Sequence, residues 1–211
     1  MKIKLSLVII SISFIVTLPA VAFANLIYNG DFETGCFTGW TAEWNLANLG
    51  IVATNPQSGS FHVRNFYDGG MYQEVPVTPG LVYRFRGYLY APSGGDSSGW
   101  GSYLGFYWMD AQDNLVGTIG MEWILDIQES PRDVYLVGDS ENLSNPLKWM
   151  TAPEDAVKAR IRFGTWQEGA IPAYPTDFDN FYFDVIPEPS SLLLLGIGLF
   201  GSVALRKRAI K

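Results

Sequence analysis

The 211-residue chain holds one cysteine, Cys36, and one histidine, His62. A single cysteine cannot close an internal disulfide, so stability has to come from the core. A single imidazole makes any Ser-His-Asp or Cys-His centre depend on His62, which stands between Phe61 and Val63 with no G-x-S-x-G sequence nearby. Zinc held by histidine and cysteine would find only these two ligands, short of the roughly four it takes. Cations are scarce as well. Between Asp31 and Glu188 stand all 21 acidic residues and only eight basic ones (Arg64, Arg84, Arg86, Arg132, Lys148, Lys158, Arg160 and Arg162), a net charge of −13. Such a surface repels phosphate backbones and excludes nucleic acid as a partner. Carboxylate pairs of the glycosidase kind arise by chance among so many acids and carry no positive signal. The expectation is a chain that is not an enzyme.

What is present begins at the ends. Lys2 and Lys4 precede an apolar run from Leu5 to Leu18 and small residues at Ala22 and Ala24. This is the plan of a signal peptide, residues 1–24, cleaved between Ala24 and Asn25 by signal peptidase after passage through the Sec translocon. The apolar run is shorter than the roughly 20 residues of a membrane span. At the other end Pro187-Glu188-Pro189 gives way to an uncharged apolar stretch at about 190–205, and then to Arg206-Lys207-Arg208. As a helix its 16 residues reach about 24 Å, somewhat less than the hydrocarbon core. The basic stop keeps the extreme C-terminus cytoplasmic and sends the body of the chain outward.

The Pro-Glu-Pro, the Leu/Gly-rich span and the basic stop, in that order, resemble the PEP-CTERM sorting signal, here residues 187–211. The resemblance implies recognition by an exosortase, processing near the Pro-Glu-Pro, and a Gram-negative host that makes extracellular polysaccharide. The protein is then expected to be exported, held at the inner membrane by its C-terminal transmembrane helix until processing, and finally placed on the cell surface or in the matrix.

Between the two signals strand patterning dominates. Leu81, Tyr83, Phe85 and Leu89 alternate with Val82, Arg84, Arg86 and Tyr88, and Val157, Ala159, Ile161 and Phe163 alternate with Lys158, Arg160 and Arg162. Phe181, Phe183 and Val185 oppose Tyr182 and Asp184, while Leu104, Phe106 and Trp108 oppose Tyr103 and Tyr107. Turn chemistry at Asn55-Pro56, Asp68-Gly69-Gly70, Thr78-Pro79-Gly80 and Ala152-Pro153 punctuates these runs. An all-β sandwich over residues 25–186 follows. The stretches 92–101 and 139–146 read as surface loops, and strand pairing over 121–146 stays open.

The opening Asn25-Leu-Ile-Tyr-Asn29-Gly30-Asp31-Phe32-Glu33, Gly39-Trp40, Met71-Tyr-Gln73, and the closing Phe178-Asp179-Asn180 resemble galactose-binding-like jelly rolls of carbohydrate-binding modules. That resemblance implies a jelly-roll β-sandwich and a structural calcium ion joining the first and last strands, held by Asp31, Glu33 and Asp179. An acidic exported domain supplies the oxygen ligands that such a hard cation takes.

All seven Trp, all eleven Tyr and ten of the thirteen Phe lie in this domain, more rings than one core needs. Tyr88, Tyr103, Tyr107 and Trp166, with Arg86 and Arg160 as hydrogen-bond donors, form the expected platform for an extracellular polysaccharide. A purely structural surface protein without a ligand site is the alternative.

Overall fold

The computed structural model describes residues 25–91, 100–117, 122–126, 135–139, 150–167 and 175–186. The expected signal peptide, the expected sorting tail from Pro187, and most of the two expected loops lie outside them. Ten strands follow one another: β1 Thr41–Trp44, β2 Leu49–Val52, β3 His62–Asn65, β4 Gly69–Pro76, β5 Tyr83–Tyr90, β6 Trp100–Met109, β7 Glu122–Asp126, β8 Tyr135–Asp139, β9 Lys158–Gln167 and β10 Thr176–Val185. They form two five-stranded sheets, a front sheet in the order β1-β4-β9-β6-β7 and a back sheet in the order β2-β3-β10-β5-β8. Every pairing is antiparallel. The region left open at 121–146 supplies one edge strand to each sheet, β7 on β6 and β8 on β5. Among the described residues no helix is long and apolar enough to cross a membrane.

Alternation decides which side chains enter the core. In β5 Tyr83, Phe85 and Leu89 point inward and are almost fully buried, while Arg84, Arg86, Tyr88 and Tyr90 face out. Across the gap they meet Leu104, Phe106 and Trp108 of β6 and Ala159, Ile161 and Phe163 of β9. The core is largely aromatic: Tyr83 stacks on Phe183 at 5.1 Å and Phe163 on Phe181 at 5.0 Å. Each ring buried this way contributes about 1.5–3 kcal/mol. Leu81 and Val157, which continue the alternation in sequence, are instead 37% and 45% exposed. Both precede their strands, where the backbone is still pairing with neighbouring segments: Ala152 N–H donates to the Leu81 carbonyl and Val157 N–H to that of Met109.

In β10 the inward positions are Phe178, Phe181 and Phe183, a spacing of three and then two. Asn180 takes a left-handed conformation (φ 50°), and the register against β5 shifts between Asp179 and Tyr182. This bulge returns Phe181 to the core, and asparagine tolerates the backbone angle that it requires.

Candidate functional site

The outer side of the front sheet is built on glycine. Cross-strand register aligns Trp44 with Gly70, Gly70 with Gly164, and Gly164 with Tyr103, and sets Gly101 opposite Trp166. A Cβ at Gly70 would come within 2.6 Å of the Trp44 ring, and one at Gly164 within 2.6 Å of the Tyr103 hydroxyl. One at Gly101 would come within 2.0 Å of the Trp166 ring. The bare backbone is what allows large rings to lie across the strands, a recognised use of glycine inside a sheet. Trp44 and Tyr103 stack 5.9 Å apart at 25°, and Tyr103 and Trp166 are 5.9 Å apart and tilted by 30°, so the three rings form a row across the sheet. The two tryptophans are half-buried, whereas Tyr103 between them is only 2% exposed.

Ion pairs border these rings. The Arg162 guanidinium lies 4.5 Å from the Tyr103 ring centre and 4.8 Å from that of Tyr107, donates to both hydroxyls, and pairs with Glu43 at 3.0 Å. Arg160 sits 4.6 Å over Tyr72 and pairs with Glu74 at 2.6 Å, and Lys158 donates to Glu74 at 2.8 Å. Burial pushes the Tyr103 phenol far above its ordinary range, so it stays neutral. Burial alone would raise the Glu74 carboxyl too, yet hydrogen bonds from Lys158 and Arg160 hold it below the usual carboxylate range. The arginines are thus fixed and locally neutralised, which suits hydrogen bonding to uncharged hydroxyls better than capture of an anion.

The expected platform therefore divides. Tyr103, Tyr107, Arg160 and Trp166 share the front sheet, but Arg86 and Tyr88 belong to β5 and face outward from the back sheet. Trp166 is a residue of β9, one position from the strand's end, and Tyr103 is a covered support beneath its neighbours. Tyr72, Trp44, Glu43 and Arg162 are front-face residues that sequence reasoning did not single out. The glycines at 70, 101 and 164 inside strand patterns were the available signal.

The back face is organised differently. Asp177 of β10, fully buried, accepts two hydrogen bonds from Arg64 at 2.7 and 2.8 Å and lies 3.1 Å from Nε2 of buried His62. Asp179 accepts backbone N–H bonds from Gln57 and Ser58 at one oxygen and from Asn180 at the other. Burial pushes its carboxyl up to about 6 despite these bonds. Glu33 Oε1 accepts the N–H groups of Ser60 and Phe61 at 2.7 and 2.8 Å, and Tyr135 donates to the Asn55 carbonyl. The loop between β2 and β3 is thereby strapped over the back sheet by two carboxylates.

That geometry bears on the expected calcium ion. Glu33 and Asp179 do hold the same loop, but with Oε1 of Glu33 and both oxygens of Asp179 turned to N–H donors, while Asp31 is exposed and caps the N–H of Glu33. No group of three or more acidic, His or Cys side chains able to hold a metal occurs among the described residues. As arranged, the donors do not fit a cation and act as a backbone clamp.

Residues 185–208 match the PEP-CTERM protein-sorting motif, which marks an exported protein with a C-terminal sorting signal. No curated protein matches the sequence. Among solved structures the chain is similar to TmCBM61 in complex with beta-1,4-galactotriose, at 17% identity and TM-score 0.51 over 76% of this chain and 97% of that one. It is also similar to the C-terminal family 22 carbohydrate binding module of Clostridium thermocellum Xyn10B, at 16% identity and TM-score 0.52 over 78% and 97%. The enzymatically active domain of bacteriophage CBA120 tailspike protein 4 matches at 12% identity and TM-score 0.56, over 77% of this chain but 21% of the other. At these identities the likeness is one of fold, the β-sandwich of carbohydrate-binding modules.

Proposed function

We propose that the protein is an exosortase-sorted component of the cell surface or extracellular matrix whose β-sandwich binds a neutral polysaccharide on its front face. The row Trp44, Tyr103 and Trp166, laid across glycine, carries this reading: a row of rings with fixed donors beside them supplies the elements of a sugar-stacking surface. The likeness to carbohydrate-binding modules supports it. Direct contacts fall to Trp44 and Trp166, with Tyr72, Tyr107 and the Glu74–Arg160 pair as hydrogen-bonding neighbours, and Tyr103 and Arg162 hold the rings in place. Export proceeds through the Sec translocon with signal peptidase cleavage before Asn25, and exosortase removes the tail, so that the inner-membrane stage is transient.

Binding of the secreted protein to a glycan array and to the matrix of its own cells tests the first part. Retention that changes little with salt supports the stacking groove, because screening weakens contacts between charges far more than ring stacking. Absence of any bound glycan favours the purely structural role. For sorting, intact mass of surface material should lack Arg206 to Lys211. Recovery of the complete C-terminus there contradicts it.

A further inference from the structure

The back face holds a cavity of about 460 Å³, within the range typical of small-molecule sites. Its walls include Arg84, Arg86 and Tyr88 of β5, Asn180 and Tyr182 of β10, and Gln57 from the strapped loop. Arg86 and Tyr88 are the two residues of the expected platform that the front face does not contain. The cavity combines the same kinds of side chain as the front face. Two tyrosines supply ring faces, and the Arg84 guanidinium stands 5.1 Å from the Tyr182 ring centre. Both arginines are held by aspartates, Arg84 by Asp184 at 3.4 Å and Arg86 by Asp139 at 2.6 Å, and the exposed carboxylate of Asp31 also lines the cavity, so the walls carry no excess positive charge. The Arg86 side chain still keeps 40% of its surface exposed. Tyr88 is half-buried and stands across the strand from Val137 and from Asp179.

We infer that this cavity is a second sugar site, taking one or two uncharged sugar residues of a polysaccharide, and that the domain therefore bridges glycan strands. The inference rests on the front-face reading. The two sites look out from opposite sides of a sandwich whose sheets lie about 10 Å apart. Both sheets stand between a chain seated on the front face and the back cavity, so the two sites bind separate strands. Bridging turns weak single contacts into avidity for a dense matrix, because a second contact to an already held network is made at high effective concentration. One exported domain then acts as a cross-link within a polysaccharide.

A two-layer capture assay with the mature secreted protein decides the matter. A neutral polysaccharide found to bind is immobilised, protein is added and washed, and the same polysaccharide carrying a fluorophore is then supplied. Wild-type protein should retain the fluorescent glycan, at least tenfold above a blank. Tyr88→Ala, which removes a half-exposed ring, and Arg86→Lys, which keeps the charge beside Asp139, should both bind the immobilised layer as before while losing capture of the second. Trp166→Ala should lose binding to the first layer at low density. Protein that binds the immobilised glycan but captures no second strand, or Tyr88→Ala and Arg86→Lys variants that capture as well as wild type, overturns the second site and leaves the front groove standing. Failure of the wild type to bind the first layer at all sinks both.

Discussion

The two outer faces of the sandwich are written in the same sequence alternation and are used in opposite ways. On the front, glycines at 70, 101 and 164 strip the strands to backbone, and tryptophans lie over them half-exposed. On the back, Asp177 and Asp179 occupy the equivalent outward positions of β10 and are fully buried, because Arg64, His62 and a strapped loop cover them. Outward on a strand thus means two things: available to a ligand where the neighbours are glycine, and part of a second, polar core where a loop folds across. Changes on the front face are expected to be tolerated and to cost binding, whereas changes at the covered back-face positions, Asp177 and Asp179, should cost stability.

The largest effect follows from Asp177. Replacing it with Ala leaves Arg64 and His62 without their buried partner and should cost about 3–5 kcal/mol in denaturant unfolding. An intermediate effect comes from pH. Asp179 titrates near 6 when folded and at about 3.8 when unfolded, so its contribution to stability is complete below about 3.8 and is lost as pH rises through about 6. The loss amounts to at most about 3 kcal/mol, and Asp179→Asn should flatten the stability profile between pH 4 and 7. A profile of the same slope in the variant would mean that the strap, rather than its carboxyl, sets the dependence. The front-face counterpart is smaller: Glu74→Gln breaks ion pairs that are partly solvated and should cost under about 1 kcal/mol. Smallest of all is the response to calcium. With Glu33 Oε1 and both Asp179 oxygens facing N–H groups, addition of calcium or of a chelator should leave the melting temperature unmoved. A rise with calcium would show that the loop re-arranges to offer carbonyls in place of its N–H groups.

Particular residues show what the sequence made legible. The inward set of β5 and β10 could be read from alternation, because only one face of each strand meets the aromatic core. The bulge at Asn180 also left a trace, in the three-then-two spacing of Phe178, Phe181 and Phe183. Alternation cannot say which sheet a strand joins, however, and so Arg86 and Tyr88 were grouped with residues from the other side of the molecule. That assignment depends on long-range pairing such as β4 with β9, set by how the whole chain buries its rings. Nor does period-two patterning report what lies above an outward residue, which is why Asp177 escaped notice and Tyr103 looked exposed. Trp44 was hidden by the shortness of β1, four residues with a register shift, in which no alternation can develop.

The central claim is that the flat tryptophans of the front face bind sugar. Titration calorimetry of a bound neutral glycan against wild type and the Trp44→Ala/Trp166→Ala double variant measures it most directly. The account predicts affinity at least tenfold weaker in the variant, about 1.4 kcal/mol or more, with near-ultraviolet dichroism showing the core still packed. A folded double variant that binds like the parent would contradict it.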